Sequence, residues 1–128
     1  MKFKYEELEI WQLAIELIRA VYGVLKKFPA DEKYDLISQG KRAVVSIALN
    51  IAEGSGRHTD RDFSLFINRA TTSLLEVDAV LKIGIALQYI TKEDSVNIDS
   101  IIDKEYYKLI AFDKSLRKES GKRKRYST

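Results

Sequence analysis

The sequence has no cysteine, one histidine and one proline. Without thiols there can be no disulfide and no thiolate metal centre, and one histidine cannot supply a multi-histidine cluster. No apolar run approaches the roughly 20 residues of a transmembrane helix, and the N-terminus is too polar and acidic for a signal peptide. We therefore expect a cytoplasmic protein with no membrane segment, no metal and no cofactor.

Charge is distributed unevenly along the 128 residues. The stretch from Lys114 to Arg125 has seven basic residues and one acidic residue, whereas the rest of the chain has 15 basic and 18 acidic residues. The pI of about 9.0 therefore comes from the C-terminal end. A basic tail on a mildly acidic body can bind nucleic acid or an acidic partner. It can equally be a solvated end that only improves solubility.

Apolar residues recur every three or four positions in four segments, which is the pattern of amphipathic helices. The predicted helices span about residues 5–28, 31–53, 60–89 and 92–118. Pro29 should end the first helix, and Gly54 should end the second because glycine tolerates positive φ. Thr59 and Thr91 are predicted N-caps. The third helix is apolar on more than one side, which indicates a second buried surface such as a subunit interface.

These segments predict an all-α fold. Long helices joined by short links place consecutive helices antiparallel, so the predicted architecture is an up-down-up-down four-helix bundle. The bundle should occupy residues 1–118, and residues 119–128 should form a basic, disordered tail.

The segment Gly54-Ser55-Gly56 raises the question of a phosphate-binding loop. Such a loop follows a strand and precedes a helix, and its glycines let several backbone N–H groups converge on the phosphate. Here a helix precedes the glycines, and Thr59 stands where a third glycine would be needed. A turn between two helices is therefore the better interpretation.

Polar residues recur on one side of the second helix and one side of the third. In an antiparallel hairpin, residues at the same height have a nearly constant number sum. The pairs that satisfy this rule are Arg42 with Glu76, Ser46 with Ser73, Asn50 with Arg69, and Arg57 with Asp62. We call the following set the polar ladder: Arg42, Ser46, Asn50, Glu53, Asp62, Ser73 and Glu76. It is either a pair of solvated faces, worth about 0–1 kcal/mol per pair, or a partly buried set that fixes helix register or subunit packing.

The sequence predicts no catalytic residues. Glu53 and Glu76 should lie roughly 15 Å apart in height, which is too far for a glycosidase-type carboxylate pair. The Glu-x-x-His signature of di-iron bundles is absent. The only histidine that could activate a catalytic serine is His58, which lies in a predicted turn. We therefore expect a protein that is not an enzyme.

The stretch RAVVSIALNIAEGSGR (42–57) resembles the proteins encoded by intervening sequences of bacterial 23S rRNA genes, also called S23 ribosomal proteins. NIAEGSGR (50–57) is its most specific part. LEIWQLAIELI (8–18) is similar to the opening helix of that family, and FSLFINRATTSLLEVDAVLKIG (63–84) is similar to its third helix. The likeness covers about residues 5–115 and leaves out the basic tail.

This resemblance implies a small antiparallel bundle that assembles as a ring-shaped homopentamer. The same family includes accessory proteins of diversity-generating retroelements, which bind a reverse transcriptase and nucleic acid. It therefore implies an adaptor associated with RNA or with a nucleic-acid-processing protein. The alternative is a protein-interaction scaffold that binds no nucleic acid.

Basic residues are the candidate phosphate contacts for such an adaptor. The primary candidates lie at the C-terminal end: Lys114, Arg117, Lys118, Lys122, Arg123, Lys124 and Arg125. Arg57 and Arg69, near the second interhelical turn, are secondary candidates.

Overall fold

Four long helices make up most of the chain that the computed structural model describes, which is residues 1–118. They are α1 (Glu9–Leu25), α2 (Leu36–Ser55), α3 (Asp60–Ala86) and α4 (Lys92–Lys118). Short 3-10 turns, Lys4–Glu7 and Ala30–Glu32, precede α1 and α2. Residues 1–118 contain no strand, so the all-α prediction is confirmed.

The helices pack in chain order around one core. Helix α2 packs against α1 and α3, and α4 packs against α3 and closes the bundle against α1. This is the predicted four-helix bundle. The largest apolar side chains with less than 2% exposure are Leu17, Leu25, Ile47, Ile51, Phe63, Ile67, Leu74, Leu81 and Leu109.

Side-chain caps begin α3 and α4 where the sequence predicts them. The Thr59 hydroxyl accepts a hydrogen bond from the Asp62 backbone N–H at 3.1 Å. At α4 the bonds are reciprocal: the Asp94 N–H donates to the Thr91 hydroxyl, and the Thr91 N–H donates to the Asp94 carboxylate. Each bond satisfies a backbone group that the first helical turn leaves unpaired.

Two predicted helix starts are displaced. Helix α1 begins at Glu9 and not near residue 5, and α2 begins at Leu36 and not near residue 31. The second delay reflects contacts made by Glu32. Its carboxylate accepts from the Tyr89 hydroxyl at 2.8 Å, and from the Leu36 N–H at 3.4 Å. These bonds hold the 3-10 turn Ala30–Glu32 as a separate element, so it does not join α2 in one continuous helix.

Gly54 has a different role from the one predicted. Helix α2 continues through Gly54 to Ser55, and the residue that follows, Gly56, has φ −86°. The expected positive-φ stop was therefore wrong. A Cβ atom on Gly54 would lie 2.7 Å from Cβ of Phe66 and 2.8 Å from Cδ1 of Phe63. The glycine is needed because α2 and α3 approach each other closely at this point.

Candidate functional site

The centre of the polar ladder is a half-buried hydrogen-bonded group between α2 and α3. The hydroxyls of Ser46 and Ser73 are 2.9 Å apart, as their equal predicted height requires. The Asn50 amide donates to the Ser46 carbonyl at 2.8 Å and to its hydroxyl at 3.0 Å. These three side chains connect the two helices at mid-height.

The charged members of the polar ladder, Arg42, Glu53, Asp62 and Glu76, are exposed on the single chain. Gln39 donates to the Glu76 carboxylate at 2.9 Å, one turn from the predicted partner Arg42. Glu53 forms an ion pair with Arg57 at 3.0 Å on its own helix. The ladder is therefore partly buried at its centre and solvated at its ends.

Arg57 and Arg69 meet on one aromatic ring. Their guanidinium carbons lie 4.5 Å and 4.7 Å from the centroid of Phe66, whose side chain is buried. Stacking on the ring fixes both groups while leaving them exposed. Two candidate phosphate contacts that are distant in sequence are thus held side by side near the α2–α3 turn.

The C-terminus of α4 lies at the same end of the bundle as this turn. The Ser64 hydroxyl donates to the buried Asp113 carboxylate, which also pairs with Arg117 at 3.3 Å. The rings of Phe63 and Phe112 pack with their centroids 5.2 Å apart. These contacts tie the last turns of α4 to the first turns of α3.

As a result, exposed basic residues from two parts of the sequence gather at one end of the bundle. We call this group the basic end; it comprises Arg57, Arg61, Lys114, Arg117 and Lys118. The other predicted contacts, Lys122, Arg123, Lys124 and Arg125, lie outside the described residues. They follow in sequence from Lys118, which belongs to the basic end.

A shallow groove of about 480 Å³ runs along the outer side of α2, where α1 borders it. Leu49, which is 60% exposed, forms part of its floor. The ammonium of Lys41 lies 5.0 Å from the ring of Tyr22. The residues that line the groove are Tyr22, Lys41, Arg42, Val45, Ser46, Leu49, Asn50 and Glu53.

Glu105 is a buried carboxylic acid that the sequence analysis missed. Its side chain has 0% exposure, and neither carboxyl oxygen has a hydrogen-bond partner among the described residues. Burial, with a smaller contribution from the nearby charge of Glu9, raises the pKa of this carboxyl to about 8. The position follows Ile102 by three residues and precedes Leu109 by four, so helical periodicity already places it on the apolar side of α4.

Within residues 1–118 no helix is long and apolar enough to cross a membrane. The same part of the chain has no group of three or more histidine, aspartate and glutamate side chains placed to hold a metal ion.

A profile of the family described as 23S rRNA-intervening sequence protein matches residues 6–111. The chain belongs to this family. The matched region runs from the turn before α1 into the second half of α4. It includes the polar ladder and ends before Lys114, so it excludes all the C-terminal basic candidates.

A solved structure shows the same fold. It is the crystal structure of a protein with unknown function from the S23 ribosomal protein family of Bacteroides thetaiotaomicron, with a TM-score of 0.75 at 24% identity. The match covers 82% of this chain and 98% of that one. A comparison with curated proteins found no match.

Proposed function

We propose that this protein is a non-enzymatic, cytoplasmic, homo-oligomeric adaptor that binds RNA or a nucleoprotein through its basic end. The observation that carries the proposal is the convergence of Arg57 and Arg61 from the α2–α3 turn with Lys114, Arg117 and Lys118 from α4. Family membership agrees with an RNA-related role, because the family takes its name from intervening sequences of 23S rRNA.

Charge is balanced over residues 1–118 as a whole, which favours a local binding site. Residues 1–118 contain 18 basic and 18 acidic residues. A neutral body has no general attraction for phosphates, so binding must come from the place where cations cluster. The basic residues that follow Lys118 in sequence would add further positive charge to such a site.

The geometry of the basic end suits contact with a phosphate backbone. Arg57 is fixed by stacking on Phe66 and by its ion pair with Glu53, so it loses little side-chain freedom on binding a phosphate. Lys114 and Lys118 lie one turn apart on α4, and both are exposed. Such a surface positions a nucleic acid without reading its bases.

The proposed assembly is a ring, and the resemblance to the family implies five subunits. Exposed apolar side chains support self-association, because a monomer would leave Leu49 60% exposed, Leu65 51% and Leu75 55%. The same residues favour the second candidate function, a protein-interaction scaffold that binds no nucleic acid. RNA binding distinguishes the two.

The test uses fluorescence anisotropy with a labelled 20-nucleotide single-stranded RNA and a labelled 20-base-pair RNA duplex. The variant Lys114→Glu/Lys118→Glu reverses two charges at the basic end. The control Lys92→Glu/Lys104→Glu makes the same change in net charge elsewhere on α4, at two exposed positions. Both variants are compared with the full chain at one fixed salt concentration.

We expect the basic-end variant to bind at least about tenfold more weakly than the wild type, because it replaces phosphate contacts with repulsion. The control should stay within about threefold of the wild type. Equal losses in the two variants would mean that only net charge matters, which contradicts a localised site. No binding of either RNA by the wild type would favour the scaffold.

A further inference from the structure

The outer side of the α3–α4 pair carries a cluster of carboxylates. Asp78 bonds Lys82 at 2.7 Å, and this bond is the main cause of the raised pKa of Lys82. Asp99 and Asp103 of α4 make smaller contributions in the same direction, so carboxylates of the neighbouring helix act on the same ammonium. With three carboxylates and one ammonium, this acidic face has a net negative charge.

Apolar side chains continue the acidic face along both helices. Leu75 precedes Asp78 by three residues on α3, and it is 55% exposed. On α4, Tyr106 and Ile110 follow Asp103 at spacings of three and seven residues, which keeps them on its side of the helix. They are 36% and 37% exposed. The acidic face is therefore charged at one end and apolar towards the other.

The groove along α2 has the same layout with the opposite charge. Lys41 and Arg42 lie at one end of it, and Val45 and Leu49 continue along its floor. Glu53, at the far end, is engaged by Arg57 at 3.0 Å. The groove is therefore basic at one end and apolar towards the other.

Hydrogen bonds between the helices show that the two surfaces match in height. Ser46 is level with Ser73, and Ser64 is level with Asp113. Because neighbouring helices are antiparallel, these bonds give the height of every other residue at 1.5 Å per residue. By that count, Lys41 on α2 lies at the same height as Asp78 on α3 and Asp99 on α4. Leu49 is likewise level with Tyr106 to within about one residue.

We propose that the acidic face of one copy of this chain docks into the α2 groove of the next copy. If the copies are related by rotation about an axis parallel to the bundle, matching heights stay level between neighbouring copies. Lys41 and Arg42 of one copy then face the carboxylates of the next, and Leu49 faces the apolar part of that copy's acidic face. The two surfaces lie on different sides of the bundle, since α2 packs against α1 and α3 and not against α4 within residues 1–118. Such head-to-tail contacts close into a ring when the rotation between neighbouring copies divides a full turn. This inference rests on the proposed self-association, and it names the surfaces that form it.

The experiment measures molecular mass against protomer concentration for the full chain, by light scattering and sedimentation velocity. Lys41→Glu disturbs the groove, Asp99→Lys disturbs the acidic face, and the double variant exchanges the two charges. Lys104→Glu is the matched control, since it makes the same charge change as Lys41→Glu at an exposed position on α4. Far-UV circular dichroism is used to check that each variant is folded.

Each single variant should weaken association about tenfold or more, because like charges then face each other across the interface. The double variant should return to within about threefold of the wild type, and Lys104→Glu should leave association unchanged. If neither Lys41→Glu nor Asp99→Lys weakens association, or if the double variant does not recover it, the proposed docking is wrong, although the protein still self-associates. A wild-type monomer throughout the micromolar range would overturn both.

Discussion

Glu105→Gln is expected to remove a pH dependence of stability that the buried carboxyl creates. Burial raises the pKa of this group from 4.5 to about 8 in the folded chain, with a smaller contribution from the charge of Glu9. In the unfolded chain the pKa returns to its ordinary value. Between these two values the folded state therefore binds a proton that the unfolded state has released.

The sign follows directly from the raised pKa. The contribution of this carboxyl to the free energy of unfolding is greatest below pH 4.5, and it is lost as the pH rises towards about 8. Each pH unit in this window costs about 1.4 kcal/mol. From pH 5 to pH 7 the wild type should therefore lose about 3 kcal/mol through this group, and little more above pH 8. The Gln side chain cannot ionise, so the variant should lack this slope.

The assay is urea unfolding followed by circular dichroism at pH 5, 6, 7 and 8, at one protomer concentration because self-association shifts apparent stability. The quantity of interest is the difference in free energy of unfolding between the wild type and Glu105→Gln at each pH, in which other titrating groups cancel. The control is Glu16→Gln, at an exposed position of α1. A difference that does not change from pH 5 to pH 8 would show that the carboxyl is not held protonated in the folded chain, and would refute the reasoning.

Three further predictions use the same unfolding assay. Gly54→Ala should destabilise the bundle by about 1–3 kcal/mol, because its Cβ would overlap Phe66. Gly23→Ala should stabilise it by about 0.5–1 kcal/mol, because nothing lies within 4 Å of the added atom; equal effects at the two glycines would contradict the packing account. Thr59→Ala should cost about 1 kcal/mol through the lost N-cap, and an unchanged midpoint would show that the cap is dispensable. Asp113→Ala should cost about 1.5–3 kcal/mol, because a buried hydroxyl loses a charged acceptor; a loss below about 0.5 kcal/mol would place that bond in solvent.

Local chemistry was enough to predict four helices and the starts of α3 and α4. Thr59 and Thr91 were recognisable as caps, because a side-chain acceptor three residues before a backbone donor is a short-range pattern. The start of α2 was not predictable in this way. It depends on the Tyr89 hydroxyl reaching Glu32 across 57 residues of sequence.

Helix geometry was enough to predict one contact of the site, but it did not reveal the roles of Gly54 and Glu105. The height rule found the bond between Ser46 and Ser73, because it depends only on helix geometry. Gly54 looked like a helix stop, and its role became clear only from the close approach of Phe66 on α3. Glu105 did carry a signal, since it falls on the apolar side of α4, but its burial depends on how α4 packs in the bundle.

The basic end also required the fold. Arg57 and Lys114 are far apart in sequence, and only the antiparallel packing of α3 and α4 brings their regions to one end of the bundle. Sequence alone identified both as candidate phosphate contacts, and the structure brings them to the same end of the bundle. RNA binding by the basic end stays a prediction.

The most direct test of the proposed function is the salt dependence of RNA binding by the full chain and by a chain lacking residues 119–128. For single-stranded RNA, each phosphate contact contributes a slope of about −0.7 to a plot of log Kobs against log salt. The deleted segment contains four basic residues, so its removal should make the slope shallower by about 3. The account also predicts that Lys114→Glu/Lys118→Glu reduces the slope further. The same slope for both chains and for the variant, or no RNA binding at low salt, would contradict it.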